Sequence, residues 1–280
     1  WYVAKERLYD AIGALKRVRD EAKDGPLEDE LMEIAEARQH ELEIQSKHLG
    51  LGYVWNTPWL RKLMLVGIFL AIVNQTTGVN TMMYYAPKIL QNAGFGTQAA
   101  ITLTVLTGIA SVIGSSLGLW LLLRLPRRKV LIGGTIGLTV MLWVMTAVFL
   151  FGINPHLDAE GNVLGTMPAM VPYLVVVVII VYLLFMQGGN APGTWVIMSE
   201  LFPARMRGAA MGFAVLCLWI ANAIITFLFP VMMDYLGPVA TYLVFSIINV
   251  IAVIYMIRRV PETKYSSLEE LEETFQAQYG

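Results

Sequence analysis

A chain of 280 residues that is 56% hydrophobic and 15% charged, with a mean hydropathy of +0.60, is far more apolar than a soluble globular chain and reads as an integral membrane protein. The formal net charge of -1 averages a polar part with an almost uncharged one, and gives no reason to expect a nucleic-acid partner. A single cysteine, Cys217, excludes an internal disulfide, and its apolar surroundings suit a small buried hydrophobe.

Residues 1 to 57 read as a cytoplasmic helical linker. Leu8, Ile12, Leu15 and Val18 recur at helical spacing until Gly25-Pro26 ends the helix. A second helix is expected from Leu27, with Leu31, Ile34 and Ala35 opposite a dense, solvated face of Glu, Arg and Lys. His40 and His48 lie in this region without metal-ligand spacing. Because the chain opens on Trp1 and has no charged-then-apolar signal sequence, it is expected to be a fragment or a processed piece.

Asn56-Thr57-Pro58 joins an N-cap to a proline in a first helical turn and launches the first of six apolar stretches, near 58–90, 98–123, 130–152, 170–199, 208–235 and 239–260. Residues 261–280 form a polar tail. Arg61, Lys62, Arg124, Arg127, Arg128, Lys129, Arg205, Arg207, Arg258 and Arg259 all fall on one side if six spans alternate, with Lys88 alone on the other. The positive-inside rule then puts both ends in the cytoplasm and the chain in the cell membrane.

The first apolar run, Leu60 to Leu90, is longer than the roughly 30 Å hydrocarbon core requires and carries Asn74, Gln75, Gly78, Asn80, Tyr84 and Tyr85. Gly78 weakens the helix there, so two half-helices are expected, with the neighbouring amides bonding whatever backbone the break frees. Amides at that depth either face a polar ligand or join neighbouring helices, and the residues alone leave both readings open. The fourth run repeats the theme in Gln187-Gly188-Gly189-Asn190-Ala191-Pro192-Gly193-Thr194-Trp195, read as a second broken span. Trp195 offers a flat apolar face and one N–H donor, chemistry suited to stacking on a sugar ring, and equally to ordinary packing. In the fifth run Trp219, Asn222 and Thr226 share one helical face.

Between Leu63 and Met198 no acidic residue lies inside a run, and the only basic residue near one is Lys88 at its outer end, so a cavity lined by amides, hydroxyls and rings suits a neutral polyhydroxylated solute better than an ion or amino acid. No mid-membrane carboxylate is offered for proton coupling, and no nucleophile, acid–base or metal cluster points to an enzyme or a cofactor. Around the fourth run's basic end, Glu200, Arg207, Arg124, Arg127 and Arg128 are expected to form an interfacial ion-pair network, or else simply to anchor the topology.

Several motifs carry a resemblance: Gly78-Val79-Asn80 with Tyr84-Tyr85, Arg127-Arg128 after the second run, Pro192 with Trp195, Ser199-Glu200-Leu201-Phe202-Pro203 with Arg207-Gly208, and Pro261-Glu262-Thr263-Lys264 followed by Ser267-Leu268-Glu269-Glu270. In these the chain resembles the sugar porter family of the major facilitator superfamily, bacterial monosaccharide and inositol proton symporters in particular. The resemblance implies an all-α membrane protein in which residues 58–260 are spans seven to twelve of a twelve-span parent, behind cytosolic helices, with the N-terminal six-helix half absent. It implies that Gln75, Asn80, Trp195, Trp219 and Asn222 line a sugar site, with Asn74, Gln187 and Asn190 beside them, that Tyr84 and Tyr85 gate it from outside, and that Glu262 joins the ion-pair network. The chain departs from the family pattern at Asn74, where a second Gln is usual, and at Leu123, Pro126, Leu218 and Tyr265. The function so implied is secondary transport of a neutral sugar or polyol by alternating access, proton-coupled in the parent, with a transporter-like sugar sensor, an uncoupled facilitator and a structural membrane subunit as alternatives.

Overall fold

The computed structural model describes residues 2, 8–15, 51–92, 95–156, 167–203 and 206–264. They belong to two units that meet at Asn56. The first unit shows helices α1 (Leu8–Leu15) and α2 (Leu51–Asn56). The helix expected from Leu27, His40 and His48, Arg205 and the tail beyond Lys264 lie outside the described residues.

In the second unit, Thr57 is extended and Pro58 sits in the first turn of α3 (Pro58–Thr76), where its missing N–H costs no helical bond. Two short helices follow, α4 (Val79–Tyr84) and α5 (Ala86–Asn92), then α6 (Thr97–Arg124) and α7 (Arg127–Ala147). After a π-helical turn at Val148–Ile153 come α8 (Met170–Phe185), a second π turn at Met186–Asn190, α9 (Ala191–Leu201), α10 (Arg207–Tyr235) and α11 (Gly237–Arg259). Among the described residues, six segments are long and apolar enough to cross a membrane: Pro58–Tyr84, Thr97–Arg124, Arg127–His156, Met170–Leu201, Arg207–Tyr235 and Gly237–Arg259. These are the six expected runs, and no strand occurs among the described residues.

The first span breaks where its glycine predicts. Gly78 has φ of 83°, a left-handed conformation that an L side chain resists, so the helical ladder stops at Thr76 and restarts at Val79. The expectation that the adjacent amides would bond the freed backbone is corrected. The Thr77 carbonyl accepts from Tyr182 Oη at 2.9 Å, and the Thr76 carbonyl from Asn249 Nδ2 at 3.1 Å. Donors from α8 and α11 thus satisfy carbonyls that the membrane interior would otherwise leave unpaired, and the side chains of Asn74 and Gln75 remain available for other partners.

The fourth span differs from expectation in another way. It does not break: the backbone stays helical from Met170 to Leu201 by widening into the π turn, and Pro192 falls in the first turn of α9. Gly188 and Gly189 serve close packing instead. A Cβ on Gly189 would lie 2.5 Å from Gly134 Cα of α7, and one on Gly118 of α6 would lie 2.8 Å from the Gly188 carbonyl oxygen. The π turn is therefore wedged backbone to backbone between α6 and α7, the contact that small residues allow in membrane bundles.

Around this wedge, α3 packs on α10, α11 on α7, and α8 on both α6 and α7. The apolar core gathers Val79, Met82, Leu142, Tyr182, Phe229 and Tyr242, all from the halves of the helices remote from the arginine-rich loops. Burial is uneven. The apolar window of the first span is 61% buried, whereas those of the α6 and α10 spans are only 22% and 17% buried. Those two helices leave broad apolar faces for lipid or an apolar partner.

Candidate functional site

Below the Gly78 break, five amides on four helical segments meet in one chain of hydrogen bonds. Asn74 Nδ2 donates to Asn190 Oδ1 at 3.1 Å, and Gln75 Nε2 donates to Asn74 Oδ1 at 3.1 Å. Gln75 Oε1 accepts twice, from Asn80 Nδ2 at 2.6 Å and from Asn222 Nδ2 at 3.2 Å. Thr226 Oγ1 closes one end on Asn222 Oδ1 at 3.0 Å, and Asn190 Nδ2 closes the other on Thr135 Oγ1 at 2.9 Å. Asn190 is wholly buried, Asn74, Gln75 and Asn222 nearly so, and Asn80 is half-buried.

This arrangement follows from local structure. Asn74 and Gln75 are successive, so they leave α3 about 100° apart and reach different neighbours: Asn190 in the π turn, Asn222 on α10. Asn80, two residues past the Gly78 break in the first turn of α4, donates across the break to Gln75. Asn80 Oδ1 accepts no hydrogen bond among the described residues, and Asn80 is the least buried member of the chain of amides.

The expected aromatic residues stand apart from the chain of amides. Trp195 is 42% exposed, Trp219 60% and Tyr84 58%. Tyr85 is engaged: its hydroxyl donates to the Thr226 carbonyl at 3.4 Å and its ring lies 5.1 Å from that of Phe229. Gln187 is half-buried beside Gly114 and makes no hydrogen bond among the described residues. Sequence reasoning missed Thr135, Tyr182 and Asn249. The signal for the last two was present, since each is a lone polar group in an apolar run and must find a partner there.

At the arginine-rich end a second polar cluster forms. Arg127 pairs with Glu200, whose Oε2 also accepts from Thr263 Oγ1 at 2.7 Å. Glu262 Oε1 and Oε2 accept from the backbone N–H groups of Arg127 and Arg128 at 3.0 and 3.1 Å, capping the positive end of the α7 dipole from another segment of the chain. Lys264 Nζ donates to the carbonyls of Leu123 and Leu125, at the other side of the same loop. Two expected members lie elsewhere: Arg207 Nε donates to the Phe202 carbonyl at 3.3 Å, and the Arg124 guanidinium stacks 5.7 Å from the Trp120 ring centroid. No group of His, Cys, Asp and Glu among the described residues has metal-binding geometry.

Residues 1–275 match the family described as sugar (and other) transporter. The chain belongs to the sugar porter family of the major facilitator superfamily. This sugar porter chain is 40% identical over 278 residues to the major myo-inositol transporter IolT of Bacillus subtilis, covering 99% of this chain and 54% of that protein. It is 30% identical over 221 residues to the D-xylose transporter of Levilactobacillus brevis, covering 79% and 46% respectively. Its fold matches that of the proton:xylose symporter XylE, solved with 6-bromo-6-deoxy-D-glucose, with a TM-score of 0.72 at 22% identity over 98% of this chain and 53% of that one. The chain spans about half the length of the relatives it matches. The related sugar porters are transporters, not enzymes.

Proposed function

We propose that this chain forms the C-terminal half of a secondary transporter for a neutral sugar or polyol, working by alternating access against an N-terminal six-helix half. The observation that carries this reading is the uncharged amide chain running from Thr226 through Asn222, Gln75 and Asn74 to Asn190, with the half-buried Asn80 joined to it at Gln75. Amides both donate and accept, as hydroxyls do, so such a surface exchanges hydrogen bonds with a polyol without any fixed charge to balance. Trp195 and Trp219, exposed in this unit, supply flat faces for the apolar side of a ring. The sparsely buried α6 and α10 give a second six-helix half an apolar surface to work against. The names of the related myo-inositol and D-xylose transporters favour the same class of solute.

In this reading Arg127, Glu200, Thr263 and Glu262 form a cytoplasmic latch, joined in one conformation and parted in another, and both ends of the chain face the cytoplasm. Coupling to protons is part of the proposal for the full-length parent. An uncoupled facilitator is the second reading, favoured by the absence of any Asp or Glu within the interiors of the described spans. Uptake by the full-length protein in liposomes, scanned over neutral sugars and polyols with and without a pH gradient, tests both. Saturable uptake driven by the gradient is expected; gradient-independent uptake selects the facilitator, and binding without uptake of any solute refutes transport.

A further inference from the structure

The arginine-rich end of the six-helix unit has two unlike flanks. On one, Arg127 is matched by Glu200 and the start of α7 by Glu262. On the other, between the beginning of α3 and the end of α11, a cavity of about 410 Å3 is bordered by Lys62, Arg128, Arg258 and Arg259 and, among the described residues, by no acidic one. Arg128, Arg258 and Arg259 form no ion pair among the described residues. Arg128 is fixed by a bond from its Nη2 to the Ile257 carbonyl, and its Nε is buried without a hydrogen-bond partner. Cations gathered at one concavity repel one another, and an anion placed among them relieves that repulsion.

The rest of the cavity is apolar. Leu63, Leu65 and Val66 line it from α3 and Tyr255 from α11. Val66 and Tyr255 each lie four residues, about 6 Å, beyond Lys62 and Arg259 along their own helices, so the cations form a rim and the apolar side chains a wall beneath it. Tyr255 is held in that wall by its ring contact with Phe69, with centroids 3.8 Å apart. A ligand that satisfies both levels has an anionic head and a hydrocarbon body.

We propose that this cavity binds an anionic phospholipid, its phosphate among Arg128, Arg258 and Arg259 and an acyl chain along Leu63, Leu65 and Val66. The inference rests on the chain spanning a membrane and not on what it transports. From Lys62 to Asn74 is about 18 Å along α3, so the lipid and a solute at the amides do not compete.

Native mass spectrometry on the protein as purified from its membrane, reconstituted in equal parts phosphatidylcholine and phosphatidylglycerol, reads the retained lipid directly. Preferential retention of phosphatidylglycerol is expected. With each basic residue at an anionic surface worth roughly fivefold, Arg258→Gln with Arg259→Gln should weaken retention roughly thirtyfold, and Arg259→Gln alone roughly fivefold should the pair not fold. Arg258→Lys with Arg259→Lys should retain the lipid, and Arg61→Gln, which removes a charge from the same end outside the cavity, should change nothing. Equal retention of both lipids, an equal loss in Arg61→Gln, or displacement of the lipid by inorganic phosphate alone would overturn the proposal in favour of diffuse surface charge or a free-anion site.

Discussion

Asn74 Nδ2 and Asn190 Oδ1, 116 residues apart in the chain, meet at 3.1 Å and join the broken first span to the π turn of the fourth. The contact holds together the two segments whose polar residues make up most of the candidate site. Its energy is measurable by a double-mutant cycle of Asn74→Ala and Asn190→Ala. Side-chain hydrogen bonds within membrane bundles couple by about 0.6 kcal/mol on average and up to about 1.7. Asn190 also donates to Thr135, so a coupling toward the upper end of that range is expected in thermal unfolding; additive effects of the two substitutions would show that the contact does not form.

Trp195→Ala in the full-length protein should lower sugar affinity without lowering the melting temperature. Its side chain is 42% exposed in this unit, and removing an exposed side chain usually changes stability by less than about 0.5 kcal/mol, whereas losing a ring that stacks on solute costs about 1 to 3 kcal/mol of binding. Affinity and unfolding measured on one preparation separate the two roles. A large drop in melting temperature with affinity intact would assign Trp195 to packing.

Neighbouring glycines on α7 should respond in opposite ways. A Cβ on Gly134 would lie 2.5 Å from the Asn190 backbone nitrogen and 2.6 Å from Gly189 Cα, atoms fixed by helical bonding, so Gly134→Ala should destabilise by about 1 to 3 kcal/mol. Nothing lies within 4 Å of a Cβ on Gly133, and Gly133→Ala should stabilise by up to about 1 kcal/mol through helix propensity. Melting temperatures of the two variants check the wedge: similar shifts would mean that the π turn does not press on α7.

Glu200→Gln should raise the share of molecules open at the cytoplasmic end, because Glu200 accepts from both Arg127 and Thr263. A part-exposed ion pair contributes only about 0 to 1 kcal/mol, which shifts a near-balanced two-state ratio by up to about fivefold. Spin-label distances across the cytoplasmic ends, with and without sugar, read that ratio. Arg207→Gln is the internal control, since Arg207 bonds the Phe202 carbonyl and not Glu200, and it should leave the distribution in place. Equal shifts from Arg207→Gln and Glu200→Gln would overturn the latch as drawn.

Much of this protein was determined by its sequence alone. Six apolar runs, a proline at the start of the first and arginines clustered at alternate ends suffice for six spans, because hydrocarbon excludes every backbone that does not satisfy itself, and helices are the local way to do so. The break at Gly78 was legible for the same reason, since glycine is the one residue that turns left-handed cheaply. What the runs do not contain is which helix lies beside which. Only the tertiary structure decided that Tyr182 and Asn249, not the adjacent amides, satisfy the carbonyls freed at the break. It also decided that Gly188 and Gly189 are packing surfaces within an unbroken helix and that Glu200 faces Arg127 in place of Arg207. Local composition states that a polar group at membrane depth needs a partner; the partner is chosen by the packing of distant helices, a long-range property that no window along the chain encodes.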